Sequence, residues 1–491
     1  MKHVLAGALL VALASFSVAA QDSSRLVIGM ALEPPHLDPT AGAAAAIDEV
    51  VYANVFEGLV RIDRQGQVIP GLATGWTVSD DGLVYTFRLK DGVRFHDGTT
   101  FDAADVKFSL ERARAPESTN AQPGFFAVIA DVATPDPQTV RVTLAHPDGL
   151  FLFNMGSGDA VIVAPESAAT NKTHPIGTGP FKFEHWSQGD RLTLVRNPDS
   201  PEGQRVRLDE VVFKIIPDPA AQVAALLAGD VDAFPNFSAP ESLEQFRDDP
   251  RFQVVLGTTE GETILAINNA RPPFDDVRVR RAIAHALDRQ AIIDGAMFGV
   301  GTPIGSHFAP HHPAYIDLSG RYPHDPAKAK ALLAEAGYPD GFAATLKLPP
   351  VAYARRGGEI VAAQLAKVGI RLAIEPIEWA QWLDIVFTQR DYDLTIVSHT
   401  EPLDIGIYAR DDYYFGYHDA DFQALMARLD RTVDPSERNR LYGEAQRKIA
   451  EDAVNGFLFQ LAKTGVWRAE LHGLWENSPI QANDVTEAYW E

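Results

Sequence analysis

The 491-residue chain contains no cysteine. That absence excludes a disulfide-stapled fold, a thiolate metal site and a cysteine nucleophile. Stability must come from core packing, which a chain of this length can supply. Cations are scarce too: 43 Lys and Arg against 66 Asp and Glu leave a formal charge of −23. Nucleic-acid binding relies on clustered Lys and Arg facing phosphate, so no nucleic-acid partner is expected. Catalytic signatures are missing as well. There is no Walker-type glycine loop, no Gly-x-Ser-x-Gly elbow and no His-Glu-x-x-His pair. A secreted hydrolase, the enzyme alternative, would need a nucleophile–base or carboxylate pair for which no motif exists. After the first twenty residues no uncharged apolar run approaches the roughly 20 residues that span a bilayer.

Those first twenty residues stand apart. Lys2 and His3 make a short basic start, residues 4–18 are almost wholly apolar or small, and Val18-Ala19-Ala20 ends the stretch before polar Gln21-Asp22-Ser23-Ser24. This is the three-part layout of a secretory signal, cut after Ala20. With no cysteine at the cleavage site to take a lipid, the mature protein is expected to diffuse freely in the periplasm.

Strands and helices interleave along the rest. Period-two alternation marks strands at 84–89 (VYTFRL) and 140–144 (VRVTL). A helix is expected at 218–228, with Pro219 in its first turn and Gly229 ending it. Beyond residue 270 one long helix over 275–294 and another over 325–336 precede strands at 345–348, 371–374 and 392–397, separated by helices at 354–368 and 380–389. Such alternation implies βαβ crossovers and a mostly parallel sheet. Two helices, 420–431 and 435–452, lead to a last strand at 456–461.

Ligands in open α/β sheets bind beyond the carboxyl ends of the strands. The loop after 392–397 holds His399, Thr400, Glu401 and Asp404, which become the first candidates for ligand contact. Aromatics crowd around it, and Trp382 and Tyr413 join the candidates because aromatic side chains supply area and polar tips in binding sites. His307, His311, His312 and His324 cluster in a Pro- and Gly-rich segment. Without a carboxylate or a second histidine at helical spacing, they read as loop residues, and neither a metal site nor a cofactor is expected.

The stretch 73–112, ATGWTVSDDGLVYTFRLKDGVRFHDGTTFDAADVKFSLER, closely resembles the signature of the peptide/nickel-type extracellular solute-binding proteins of ABC importers. Glu57-Gly58-Leu59-Val60, Gly177-Thr178-Gly179-Pro180-Phe181, Asn268-Asn269, Pro273-Phe274 and the 276–283 helix extend the match over nearly the whole chain. The resemblance implies an α/β periplasmic-binding-protein type II fold, with two α/β lobes and a β-rich subdomain inserted in the first. The expected division is 21–62 with 181–268 and 470–491 as lobe I, 63–180 as the insertion and 269–469 as lobe II. It further implies a monomeric, non-enzymatic receptor that closes over a small-molecule ligand and docks on ABC permease subunits.

In the family's peptide receptors an aspartate after a lobe II strand holds the ligand's amino terminus. Glu401 falls nearest that position and Asp404 next, so a peptide or other amine-bearing ligand is expected, with an oligosaccharide, opine or metal chelate as alternatives. Arg355 is the nearest candidate for the arginine that holds a dipeptide carboxylate, although its spacing departs from the pattern. Asn268 completes the candidate set. Thr40, in the small-residue loop 40–45, is the expected contact from lobe I.

Overall fold

The computed structural model describes residues 24–42 and 44–491; the signal-peptide reading lies outside them. One large sheet runs through both lobes. Its strands lie in the spatial order Ile370–Pro376, Phe342–Leu348, Leu394–His399, Phe252–Ile267, Gly456–Arg468, Ala233–Phe234, Arg25–Met30, Glu210–Ile215, Arg191–Arg196 and Phe181–Ser187. A separate four-stranded antiparallel sheet over 73–144, packed against the helix Ala103–Arg114, forms the inserted subdomain with its own apolar core.

The large sheet is mixed, against the mostly parallel expectation. Phe342–Leu348 pairs in parallel with both Ile370–Pro376 and Leu394–His399. The two long strands at the centre are antiparallel to each other and to their neighbours. These strands also change partners part-way along. Residues 252–258 pair with 462–468 beside lobe I, while 262–265 pair with 456–460 beside Leu394–His399. Between the two ladders the register shifts across residues 259–261. Thr259 Oγ1 donates to the Leu461 carbonyl and Gln460 Nε2 to the Thr259 carbonyl, so side-chain bonds stand in for the broken ladder. A bulge bends its strand and increases the local twist.

Alternation along Phe252–Ile267 builds lobe II. Ile264 and Ala266 face one buried core and Leu265 and Ile267 the opposite one. The second core takes the helices Val277–Ala286 and Arg289–Met297, which replace the single helix expected over 275–294. Leu287 leaves the helical region and the Asp288 side chain caps the second helix by accepting from Ala291 N–H, a local bond that competes with helix continuation. Asp218 and Asp325 cap their helices in the same way, and Gly229 ends the first at φ 78°. The expected helix at 380–389 is one short α turn followed by a π-helical segment, Trp382–Thr388.

The Gly177-Thr178-Gly179-Pro180 turn is a packing device. A Cβ on Gly177 would stand 1.9 Å from the Val55 carbonyl oxygen, and one on Gly179 2.5 Å from that of Asn54. His96 lies beneath it, accepting from Gly177 N–H through Nδ1 and donating from Nε2 to the Gly179 carbonyl. Among the described residues no helix is long and apolar enough to cross a membrane.

Candidate functional site

The bulge places Glu260 on the wall of a cleft and leaves Glu262, two residues on, buried behind it. Glu262 lies opposite His399 in the ladder, so their side chains share a face. The loop after Leu394–His399 comes down on the same spot. Glu401 precedes Pro402, and Leu403 then adopts a left-handed conformation (φ 60°, ψ 25°) that turns the chain into Asp404–Ala409. A branched residue in that region costs about 1–2 kcal/mol, and such strain concentrates at functional sites. Here it aims Asp404 inward at two histidines.

The hydrogen-bond directions around Asp404 follow from one amide. Ile267 N–H donates to Asn455 Oδ1 (2.9 Å), so Asn455 Nδ2 donates to the Tyr408 hydroxyl (3.0 Å). Tyr408 then donates to His307 Nδ1 (3.1 Å), and His307 Nε2–H donates to Asp404 Oδ1 (2.8 Å). On the other side Tyr414 donates to His399 Nε2 (3.0 Å), leaving Nδ1–H facing Asp404 Oδ2 at 3.5 Å. Asp404 is the anion of the group. Burial opposes ionisation of Asp404, but the two imidazoles outweigh it and hold the carboxyl well below the usual range. Burial also pushes His307 down, against the pull of Asp404, and keeps its ring neutral.

Glu262 moves the other way. Its side chain is 3% exposed, Oε2 has no hydrogen-bond partner, and burial together with Asp404, Glu260 and Glu401 raises its pKa well above the ordinary value. Glu260 meets only His311 Nε2 (2.6 Å). Among the described residues neither Lys nor Arg pairs with any of these four acids. A buried carboxylate without a partner is costly, and a cationic group arriving in the cleft would relieve that cost.

The cleft has a volume of about 690 Å³. Glu260, His311, Pro402 and Leu403 line one side of it, and Gln67, Tyr85 and Leu150 of the inserted segment the other. Arg438 crosses it, donating to the Gly149 carbonyl and to Tyr442, while Gly149 N–H donates to the Asp430 carbonyl (2.9 Å). This is the size of an ordinary small-molecule pocket.

Of the residues expected from sequence, His399, Asp404 and Tyr413 pack together behind the cleft wall formed by Pro402 and Leu403, and Glu401 is exposed on the same loop. The Tyr413 hydroxyl lies 3.5 Å from His399 Nδ1, and Thr400 is exposed with its N–H on Glu401 Oε2. Four others are occupied elsewhere. Trp382 is buried, donates to Thr395 Oγ1 and stacks on Trp379 (5.1 Å, 2°) as part of the core. Arg355 spends its guanidinium on the Pro349 and Ile377 carbonyls, bracing two loops. Asn268 donates to the Arg390 and Tyr392 carbonyls. Thr40 is bound to Asp38 and Arg112. Glu260, Glu262, His307, Tyr408, Tyr414 and Asn455 were not among the expected contacts. The one local signal for them was acid at alternate positions, Glu260 and Glu262, inside an otherwise apolar strand. The histidine segment does find a carboxylate and a second histidine, but from residues about a hundred positions away: ligand atoms of His307, His399 and Asp404 lie within 4.8 Å of one another.

Comparison with known proteins agrees with this architecture. Residues 67–416 match the bacterial extracellular solute-binding proteins, family 5. The glutathione-binding protein GsiB of Salmonella paratyphi A is 29% identical over 445 residues, 85% of each chain. Heme-binding protein A of Haemophilus influenzae is 34% identical over 362 residues, 67% of this chain and 65% of its own. The periplasmic binding protein DppA of Helicobacter pylori, solved with the peptide STSA, superposes with a TM-score of 0.80 at 26% identity, over 95% of this chain and 98% of its own. The mixed α/β fold and the span of the family match have one reading: the chain belongs to family 5 of the bacterial extracellular solute-binding proteins, the solute receptors of ABC importers.

Proposed function

We propose that this receptor captures a peptide-like solute through a primary amine, which docks against Glu262 and Glu260 with Glu401 closing over it. The observation that carries the reading is the unpartnered buried carboxylate of Glu262 in a set of four acids without a Lys or Arg counter-ion. An ammonium donates three hydrogen bonds and a full charge, the complement of that set. Two relatives named above bind peptides, glutathione in one and STSA in the other, which supports the class. The heme of the third would bring two propionates toward four carboxylates, so the charge disfavours it here.

In this reading the lobes close by bending at the 259–261 bulge, the few residues that absorb the rotation in a hinge. The closed monomer presents the solute to the permease at the inner membrane, having entered the periplasm by loss of residues 1–20, and performs no chemistry on it. Calorimetry with short peptides bearing a free or an N-acetylated amino terminus tests the proposal. Acetylation removes the positive charge and is expected to abolish binding; equal affinity for both forms would reject the amine-centred reading.

A further inference from the structure

The proposed amine site leaves the histidine pair unexplained. Two imidazoles and a carboxylate face one another at a buried position, with His307 1% exposed and His399 8%. The Asp404 oxygens stand 2.8 Å from His307 Nε2 and 3.5 Å from His399 Nδ1. Those are also the edge lengths expected when nitrogen and oxygen ligands about 2.0–2.2 Å from a common ion share its coordination sphere. Each ring's far nitrogen meets a tyrosine hydroxyl, Tyr408 for His307 and Tyr414 for His399, and Asn455 holds Tyr408 in turn. Outer partners of this kind fix the ring orientation of metal-ligating histidines.

We propose that His307 Nε2, His399 Nδ1 and Asp404 form a site for one late first-row divalent ion of the Ni²⁺, Cu²⁺ or Zn²⁺ class. Imidazole favours these ions over Mg²⁺ and Ca²⁺, which prefer all-oxygen shells. Three protein ligands leave at least one coordination position open for a further donor. On binding, the ring protons now facing Asp404 pass to the far nitrogens and point at the tyrosines.

The test uses the full mature chain, stripped with chelator and titrated with NiCl₂ or ZnCl₂ alone, by calorimetry and by dialysis with elemental analysis. One ion per chain is expected, with imidazole scattering in the X-ray absorption spectrum. His399→Gln should weaken binding at least 10-fold. Tyr408→Phe keeps all three ligands and should weaken it by about 10-fold through ring orientation alone. His418→Gln and His472→Gln, at exposed histidines paired with Asp411 and Glu491, should change nothing. Urea midpoints verify that each variant folds. Sub-stoichiometric binding, an affinity unmoved by His399→Gln, or a loss caused by His418→Gln would overturn the site and identify an adventitious ion only. Free-amine peptide binding, measured on the same metal-free protein, separates failure of the metal site from failure of the amine reading.

Discussion

Replacing Glu262 by Gln should make the unliganded protein more stable and the receptor worse. The wild-type carboxyl is buried, lacks a partner for Oε2 and has three acids as neighbours. Its folded pKa is therefore above the unfolded value, so its penalty is absent at low pH and develops as pH rises through the unfolded pKa toward the folded one. Glutamine has similar volume, carries no charge and can donate its amide to a neighbouring carboxylate. Relief of one unsatisfied buried group amounts to about 1–3 kcal/mol. Guanidinium unfolding at pH 8 should show that gain, and at pH 4.5, where the wild-type carboxyl is protonated, the two proteins should converge. Binding moves oppositely. Losing a charge-assisted bond to an ammonium costs about 1.5–3 kcal/mol, a fall of roughly 10- to 150-fold in affinity for a free-amine peptide. Such a stability–function trade-off is expected where a site is held strained for its ligand. A variant that is destabilised at pH 8 yet binds the peptide like wild type would refute both the electrostatics and the role.

Further outcomes can be checked independently. His96, held neutral under the 177–180 turn, has its pKa pushed down to about 4 by burial, against 6.5 when exposed. The unfolded chain then binds the proton first, so stability should be lost as pH falls from about 6.5 to 4, by about 3 kcal/mol in total; a His96→Gln variant should lack that step in its urea midpoints. Gly177→Ala drives a Cβ into the Val55 carbonyl and should cost about 3 kcal/mol or more, or prevent folding, which expression yield and circular dichroism would report. Arg438→Ala removes the cross-cleft bond to Gly149 and leaves the Gly149–Asp430 contact; small-angle scattering should show a larger radius of gyration without ligand and little change with it. Trp382→Phe strands the Thr395 hydroxyl in the core and should cost about 1–3 kcal/mol while leaving peptide affinity within a few-fold.

Much was legible because it is local. Caps at Asp218 and Asp325, the helix-ending Gly229 and the alternation at 84–89 depend on residues a few positions apart, and each element formed where such signals stood. Local signals also failed in a consistent way. The 275–294 helix broke because Asp288 prefers to cap, and the two central strands ran antiparallel because their pairing is chosen across two hundred residues. The same distinction holds at the candidate site. His399, Glu401 and Asp404 follow a strand end, which the sequence pattern locates, while the internal partners of Trp382, Arg355 and Asn268 come from tertiary contacts that it does not.

By itself the sequence determined the family, the two-lobed α/β class with its β-rich insertion and the anionic character, because these reside in composition, periodicity and contiguous motif. Only the tertiary structure decided which acids meet. The register shift at 259–261 sets Glu260 at the cleft with Glu262 buried behind it, and packing brings His307 to Asp404 and Asn455 to Tyr408 from distant segments. The physical reason is that the charge state of a buried group depends on its three-dimensional neighbours: burial and three acids raise Glu262, while two imidazoles hold Asp404 ionised in the same wall.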